Sequence, residues 1–255
     1  MTDDKCSRRE GNPNLPVLIS LARKDINFPC LYTFNMTERS PANHNRRMLY
    51  EISVVMIFTV GLILLLPSLR TVIYFLPMAY LLVERRLRHR SWSEIGFKRG
   101  FIKDLANNWH LFIIVAVLIQ IAVPVLLKFF WPELLDHIFG RLSSLPGGEV
   151  IAGTVVLIII GSLVEEVTFR SLFQERIGWF LSQFAAILIV SLLFALSHIT
   201  VGNPLLVGAD IALVFIDSCF YGLIISRSRN VMVSWFTHMM ADIIGFAMLL
   251  VILSF

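Results

Sequence analysis

The sequence predicts an all-α fold, a polytopic transmembrane bundle of about seven helices with the N-terminus inside. Three observations carry that reading. Hydrophobic residues make up 56% of the 255-residue chain, charged residues only 16%, and phenylalanine alone fills 20 positions, a composition far from that of soluble domains. Apolar windows near the bilayer-spanning length of about 20 residues recur through the chain. Basic residues gather in one segment between two of those windows rather than spreading evenly.

The windows lie near 50–67, 69–83, 109–131, 150–173, 179–198, 204–226 and 231–254, the second being the shortest. Between the second and third runs "ERRLRHRSWSEIGFKRGFIKD", with Arg85, Arg86, Arg88, Arg90, Lys98, Arg99 and Lys103. Such a loop stays cytoplasmic. The loop 132–149 has Arg141 as its only Lys or Arg and belongs outside, while Arg227 and Arg229 return inside. The N-terminus is then in and the C-terminus out.

Residues 1–48 are polar, with prolines at 13, 16, 29 and 41, and lack a signal-peptide core. They read as a loose cytoplasmic tail, which leaves the sequon Asn35-Met36-Thr37 without meaning; Met36 and Met48 offer alternative starts. No internal repeat appears, and "SSLPGGE" (143–149) separates helices rather than domains. Residues 49–255 therefore form one transmembrane helical domain. Cys6, Cys30 and Cys219 have neither an even count nor metal spacing, so no disulfide or zinc framework follows. Gly208 with Ala212, and Ser218 with Gly222, place small residues four apart for close helix packing.

Charge inside the fourth window is the feature that needs a reason. In "IIIGSLVEEVTFRSLF" (158–173) two glutamates and an arginine interrupt an apolar run, where each such side chain costs roughly 2.5–3.5 kcal/mol on insertion scales. On a helix Glu166 and Arg170 are four apart in the order that favours an ion pair, and Glu165 points about 100° away. Arg170 can neutralise one glutamate and leave the other for a second task. One glutamate would suffice if the pair served only to join helices.

Two further windows carry histidines. "LLFALSHIT" sets Phe194 and His198 four apart, and "SWFTHMMADIIG" sets His238 and Asp242 four apart, each pair on one helical face. Taken singly, His198 reads equally as an interfacial residue and His238–Asp242 as a plain hydrogen bond. Asp210 and Asp217, seven apart, read as packing or cavity-lining residues.

The ordered set E-E-x-x-x-R, F-x-x-x-H, H-x-x-x-D on three apolar helices resembles the CPBP family, the CAAX-protease and bacteriocin-processing membrane proteins also called Abi, which includes the type II CAAX prenyl endopeptidases. The resemblance covers about 150–245 and rests on "EEVTFR", "FALSH" and "HMMAD"; "RSWSEIGFKRG" is similar to a stretch such proteins often carry before the core. It implies a peptidase with its active site in the membrane. The matching positions make Glu165 the general base toward a water shared with His198, and His238 with Asp242 the oxyanion partners. Glu166, Arg170 and Phe194 become supporting residues. Asp242 stands where the family often has asparagine. A broken or interfacial start around 175–184 would shorten the fifth helix and bring His198 inward.

The expected partners are the lipid bilayer and a membrane-associated protein or peptide substrate, with no nucleic acid; the expected location is a membrane crossed several times, the plasma (inner) membrane if the chain is bacterial. No cofactor is required, although Glu165, His198, His238 and Asp242 would suit a divalent metal such as zinc. The same buried groups would also serve a proton- or metal-coupled transporter, or sit in a non-catalytic immunity or scaffold protein.

Overall fold

Apolar runs in lipid satisfy their backbone internally, so helices are the expected outcome. The computed structural model describes residues 42–143 and 151–253 and contains no strand among them. The cytoplasmic-tail reading for 1–48, with Cys6, Cys30 and the sequon, lies outside the described residues up to position 41, while 42–48 are helical rather than tail; most of the 143–149 linker also lies outside the described residues. Residues 42–255 cluster as one unit.

Among the described residues, nine helices of seven residues or more follow in order: α1 Ala42–Leu65, α2 Arg70–Leu87, α3 Phe101–Asn107, α4 Trp109–Phe130, α5 Pro132–Ser143, α6 Ile151–Glu166, α7 Gln183–Leu196, α8 Pro204–Ser228 and α9 Val231–Leu253. Two of them contain or continue into π-helix, Ile113–Ile119 within α4 and Val167–Gln174 directly after α6. Among the described residues, four segments are long and apolar enough to cross a membrane: Met48–Leu65, Trp109–Phe130, Pro204–Ser228 and Val231–Ile252.

Three expectations are corrected. The segment 132–149 is not simply a loop, because Pro132–Ser143 is helical. Leu134 and Leu135 are buried on a helix whose other residues include Glu133, Asp136 and Arg141, and a spanning-length window averages such a stripe away. The fifth window, 179–198, shrinks at both ends. Its helix begins at Gln183, where Ser182 accepts from the Ala185 N–H at 3.2 Å, and stops at Leu196, so His198 follows the helix instead of riding on it. The shortening at the start is the one expected around 175–184. At 14 residues α7 is about 21 Å long, less than a hydrocarbon core of about 30 Å. The third correction concerns Gly208, where an added Cβ would meet nothing within 4 Å. At Gly222 it would meet Gln174 Oε1 at 2.9 Å and Ile187 Cγ2 at 3.1 Å, so close approach is needed there alone of the two.

The basic segment after α2 is built into the bundle. Ile95 is buried in the main core with Phe169, Leu172, Phe173 and Phe194, and Gly96 takes φ +92° beside Ser171. The Gly96 carbonyl accepts from the Val231 N–H at 2.8 Å, while Asn230 Nδ2 donates to Asp104 Oδ2 at 2.9 Å, which fixes the start of α9. Arg90 Nη2 lies 2.5 Å from Glu175 Oε1, and Arg176 pairs with Glu84 of α2. Burial pushes the Glu175 carboxyl up, against the pull of Arg90 and Arg176.

Candidate active site

The glutamate doublet sits at the last two positions of α6, where the helix widens into its π segment, a feature frequent at functional sites. The two carboxylates divide as their angular separation requires. Glu166 is fully buried: its Oε2 lies 3.6 Å from Arg170 Nε and accepts from Ser234 Oγ at 2.5 Å, and its Oε1 lies 3.1 Å from His238 Nδ1. Arg170 also donates to Ser218 Oγ at 2.6 Å and to the Ser218 carbonyl at 3.0 Å. The buried charge is thus shared among α6, α8 and α9.

Glu165 turns toward the imidazoles. Its Oε1 lies 3.8 Å from His198 Nε2 and its Oε2 lies 3.8 Å from His238 Nε2. Imidazoles from the turn after α7 and from α9 therefore converge on one carboxylate of α6. His198 Nδ1 meets the Phe194 carbonyl at 2.8 Å, and the two rings lie 4.7 Å apart. The Phe194 ring also meets His238 edge-on at 5.7 Å, while Tyr221 stacks on the same His238 ring at 4.5 Å. His238 is held in plane by aromatics and along its axis by carboxylates. Asp242 Oδ2 is 3.5 Å from His238 Nε2, with 42% of its side chain exposed.

All seven residues singled out by the motifs are thus brought together. Asp210 is not: it pairs with Arg141 of α5 at 2.9 Å, a packing role between helices. Asp217 accepts from Gln120 at 3.0 Å and lies within electrostatic reach of His238 and Asp242, at the edge of the same cluster. Ser234, Ser218, Tyr221 and Gln174 were missed. Ser234 is four before His238 and Gln174 four after Arg170, a spacing that marks both; Ser218 was noted only as a small packing residue, and nothing local marks Tyr221.

As placed, Glu165 and the two imidazoles lie wider apart than a tetrahedral zinc would hold them. Among the described residues no three His, Cys, Asp or Glu are grouped to hold an ion; the 3.8 Å separations at Glu165 exceed the roughly 3.4 Å between neighbouring donors of a tetrahedral zinc with ligands near 2.1 Å.

A carboxylate thus lies between two imidazoles, with the buried Glu166–Arg170 pair behind one of them. Residues 147–244 match the family model Type II CAAX prenyl endopeptidase Rce1-like. No curated protein and no solved structure gives a significant match. The Rce1-like segment takes in α6 to α9 up to position 244 and contains Glu165, Glu166, Arg170, Phe194, His198, His238 and Asp242. Helices α1 to α5 lie outside it. A chain with apolar spanning helices and an Rce1-like segment is similar to membrane proteases, and the hydrolase class is supported at the level of that family.

Proposed function

We propose that this chain is an intramembrane endopeptidase that hydrolyses a peptide bond of a membrane-associated protein or peptide, with Glu165 as general base. The observation that carries the reading is the pair of 3.8 Å gaps between Glu165 and the two Nε2 atoms. Such a gap is too long for a direct hydrogen bond and suits one water oxygen about 2.8 Å from each side.

Glu165 takes a proton from that water as its oxygen attacks the scissile carbonyl, and His198 Nε2 accepts the second hydrogen bond and orients it. An imidazole with carboxylate acceptors at both nitrogens can hold an N–H at each, so His238 directs Nε2–H toward the developing oxyanion while Asp242 aligns it. The proton on Glu165 then passes to the departing amine. Glu166 and Arg170 act beneath, holding His238 through its Nδ1.

The topology that accompanies this reading has seven crossings, formed by α1, α2, α4, α6, α7, α8 and α9. Residues 84–104 are cytoplasmic, the N-terminus lies on the same side, and α5 lies at the outer face. The test compares peptide termini in membranes containing wild-type or Glu165→Ala protein, together with cleavage by the purified protein in detergent. New termini that depend on Glu165 support the proposal. Ion flux that depends on Glu165, without any cleavage, would overturn it in favour of a transporter.

A further inference from the structure

We propose that Tyr74, on α2 and outside the Rce1-like segment, is a positioning residue that sets which nitrogen of His198 carries the proton. Its part in catalysis rests on the peptidase reading above; its effect on the imidazole does not. Tyr74 is buried, its hydroxyl lies 2.7 Å from Ser197 Oγ, and Ser197 is fully buried beside His198.

Counting hydrogens fixes the direction of each bond. Ser197 Oγ donates its only proton to the Phe194 carbonyl at 2.6 Å, so the 2.7 Å contact with Tyr74 has the phenol as donor. The carbonyl of Phe194 can only accept, so the 2.8 Å contact from His198 Nδ1 places a proton on Nδ1. The backbone N–H of His198 donates to Ala195 instead, which leaves both lone pairs of the Phe194 carbonyl to these side chains. In the neutral ring Nε2 is then an acceptor, and it is Nε2 that faces Glu165 across 3.8 Å.

The competing arrangement is close at hand. Ser197 Oγ is also 3.4 Å from His198 Nδ1. A hydroxyl rotated toward that nitrogen would move the ring proton to Nε2, where it would bond Glu165 directly and close the gap assigned to water. Donation from Tyr74 occupies Ser197 Oγ and holds the hydroxyl on Phe194. Removing the phenol oxygen frees the rotor.

The experiment is ¹⁵N histidine NMR in detergent at a pH where His198 is neutral, with its signals assigned by His198→Gln. Wild type should show the proton on Nδ1. Tyr74→Phe keeps the ring, which packs edge-on against Phe169 at 5.8 Å, and should move a measurable share of His198 to the Nε2-protonated form. Tyr74→Phe in a Ser197→Ala background should return to Nδ1, because no hydroxyl remains to rotate. Turnover should follow: kcat falls roughly 10- to 100-fold in Tyr74→Phe, by analogy with the loss of an outer partner of a metal-bound histidine, with KM little changed and recovery in the double variant. An unchanged tautomer in Tyr74→Phe, or a double variant that stays on Nε2, overturns the proposal. A tautomer shift in a protein that cleaves nothing upholds the role of Tyr74 and removes the peptidase reading alone.

Discussion

Glu166 and His238 meet at 3.1 Å through Oε1 and Nδ1, on the edge of the ring away from the Nε2 that faces Glu165. Adjacent glutamates therefore hold opposite sides of one imidazole, and the buried one pairs with Arg170 at 3.6 Å. The division predicts that the two carboxylates are not interchangeable.

Replacing them should separate function from folding. Glu165→Gln is expected to give a folded protein without cleavage. Glu166→Gln and Arg170→Ala each strand a partner in a dry site, and should lower stability by about 3–5 kcal/mol. Thermal unfolding in detergent, read beside activity, checks both; equal melting temperatures for all three variants would refute the division.

Asp242 tests the oxyanion assignment. An ionised aspartate cannot donate, whereas asparagine can, so Asp242→Asn should keep substantial activity, and chelators should do little to wild type. Loss of cleavage on chelation with recovery on zinc would replace the water-and-histidine scheme by a metal site.

Orientation can be read by cysteine accessibility. Ser91→Cys in the basic segment and Glu133→Cys at the exposed start of α5 should label from opposite faces of a sealed vesicle, Ser91 from the cytoplasmic one. Labelling from one face would remove the seven-crossing topology.

The basic segment should loosen in acid. Ser91 and Glu94 make a reciprocal cap, with the Ser91 N–H and Oγ both donating to Glu94 Oε2 and the Glu94 N–H donating to Ser91 Oγ. The backbone hydrogen bond from Ser91, then its hydroxyl, hold the Glu94 carboxyl below its ordinary value. A depressed carboxylate contributes stability that is present above its unfolded value and lost as pH falls through the folded one. Amide exchange at Ile95 and Gly96 should therefore accelerate, relative to the intrinsic rate, below the usual carboxylate range, and Glu94→Gln should abolish that step.

Gly222→Ala should cost about 1–3 kcal/mol, since the new methyl meets Gln174 and Ile187 inside normal contact distance. The same change at Gly208, which faces open space, should be close to neutral in thermal unfolding.

Much of the site was legible from spacing alone. Four-residue intervals join Glu166 to Arg170 and His238 to Asp242 whatever surrounds them, because a helix puts such positions on one face. The 100° between adjacent residues likewise sends Glu165 elsewhere. Helical class and membrane residence follow just as locally, from runs that must satisfy their own backbone in lipid.

What the tertiary structure decided are relationships between segments far apart in the chain. His198 reaches Glu165 because α7 is short and ends at Leu196, a length set by the cap at Ser182 and the turn before it rather than by hydropathy. The π turns after Glu166 and the burial of Ile95 beneath the bundle leave no period in the sequence. Tyr74 stands 123 positions from Ser197, so no interval along one helix could join them; only packing of α2 against the core brings that hydroxyl to the serine beside His198.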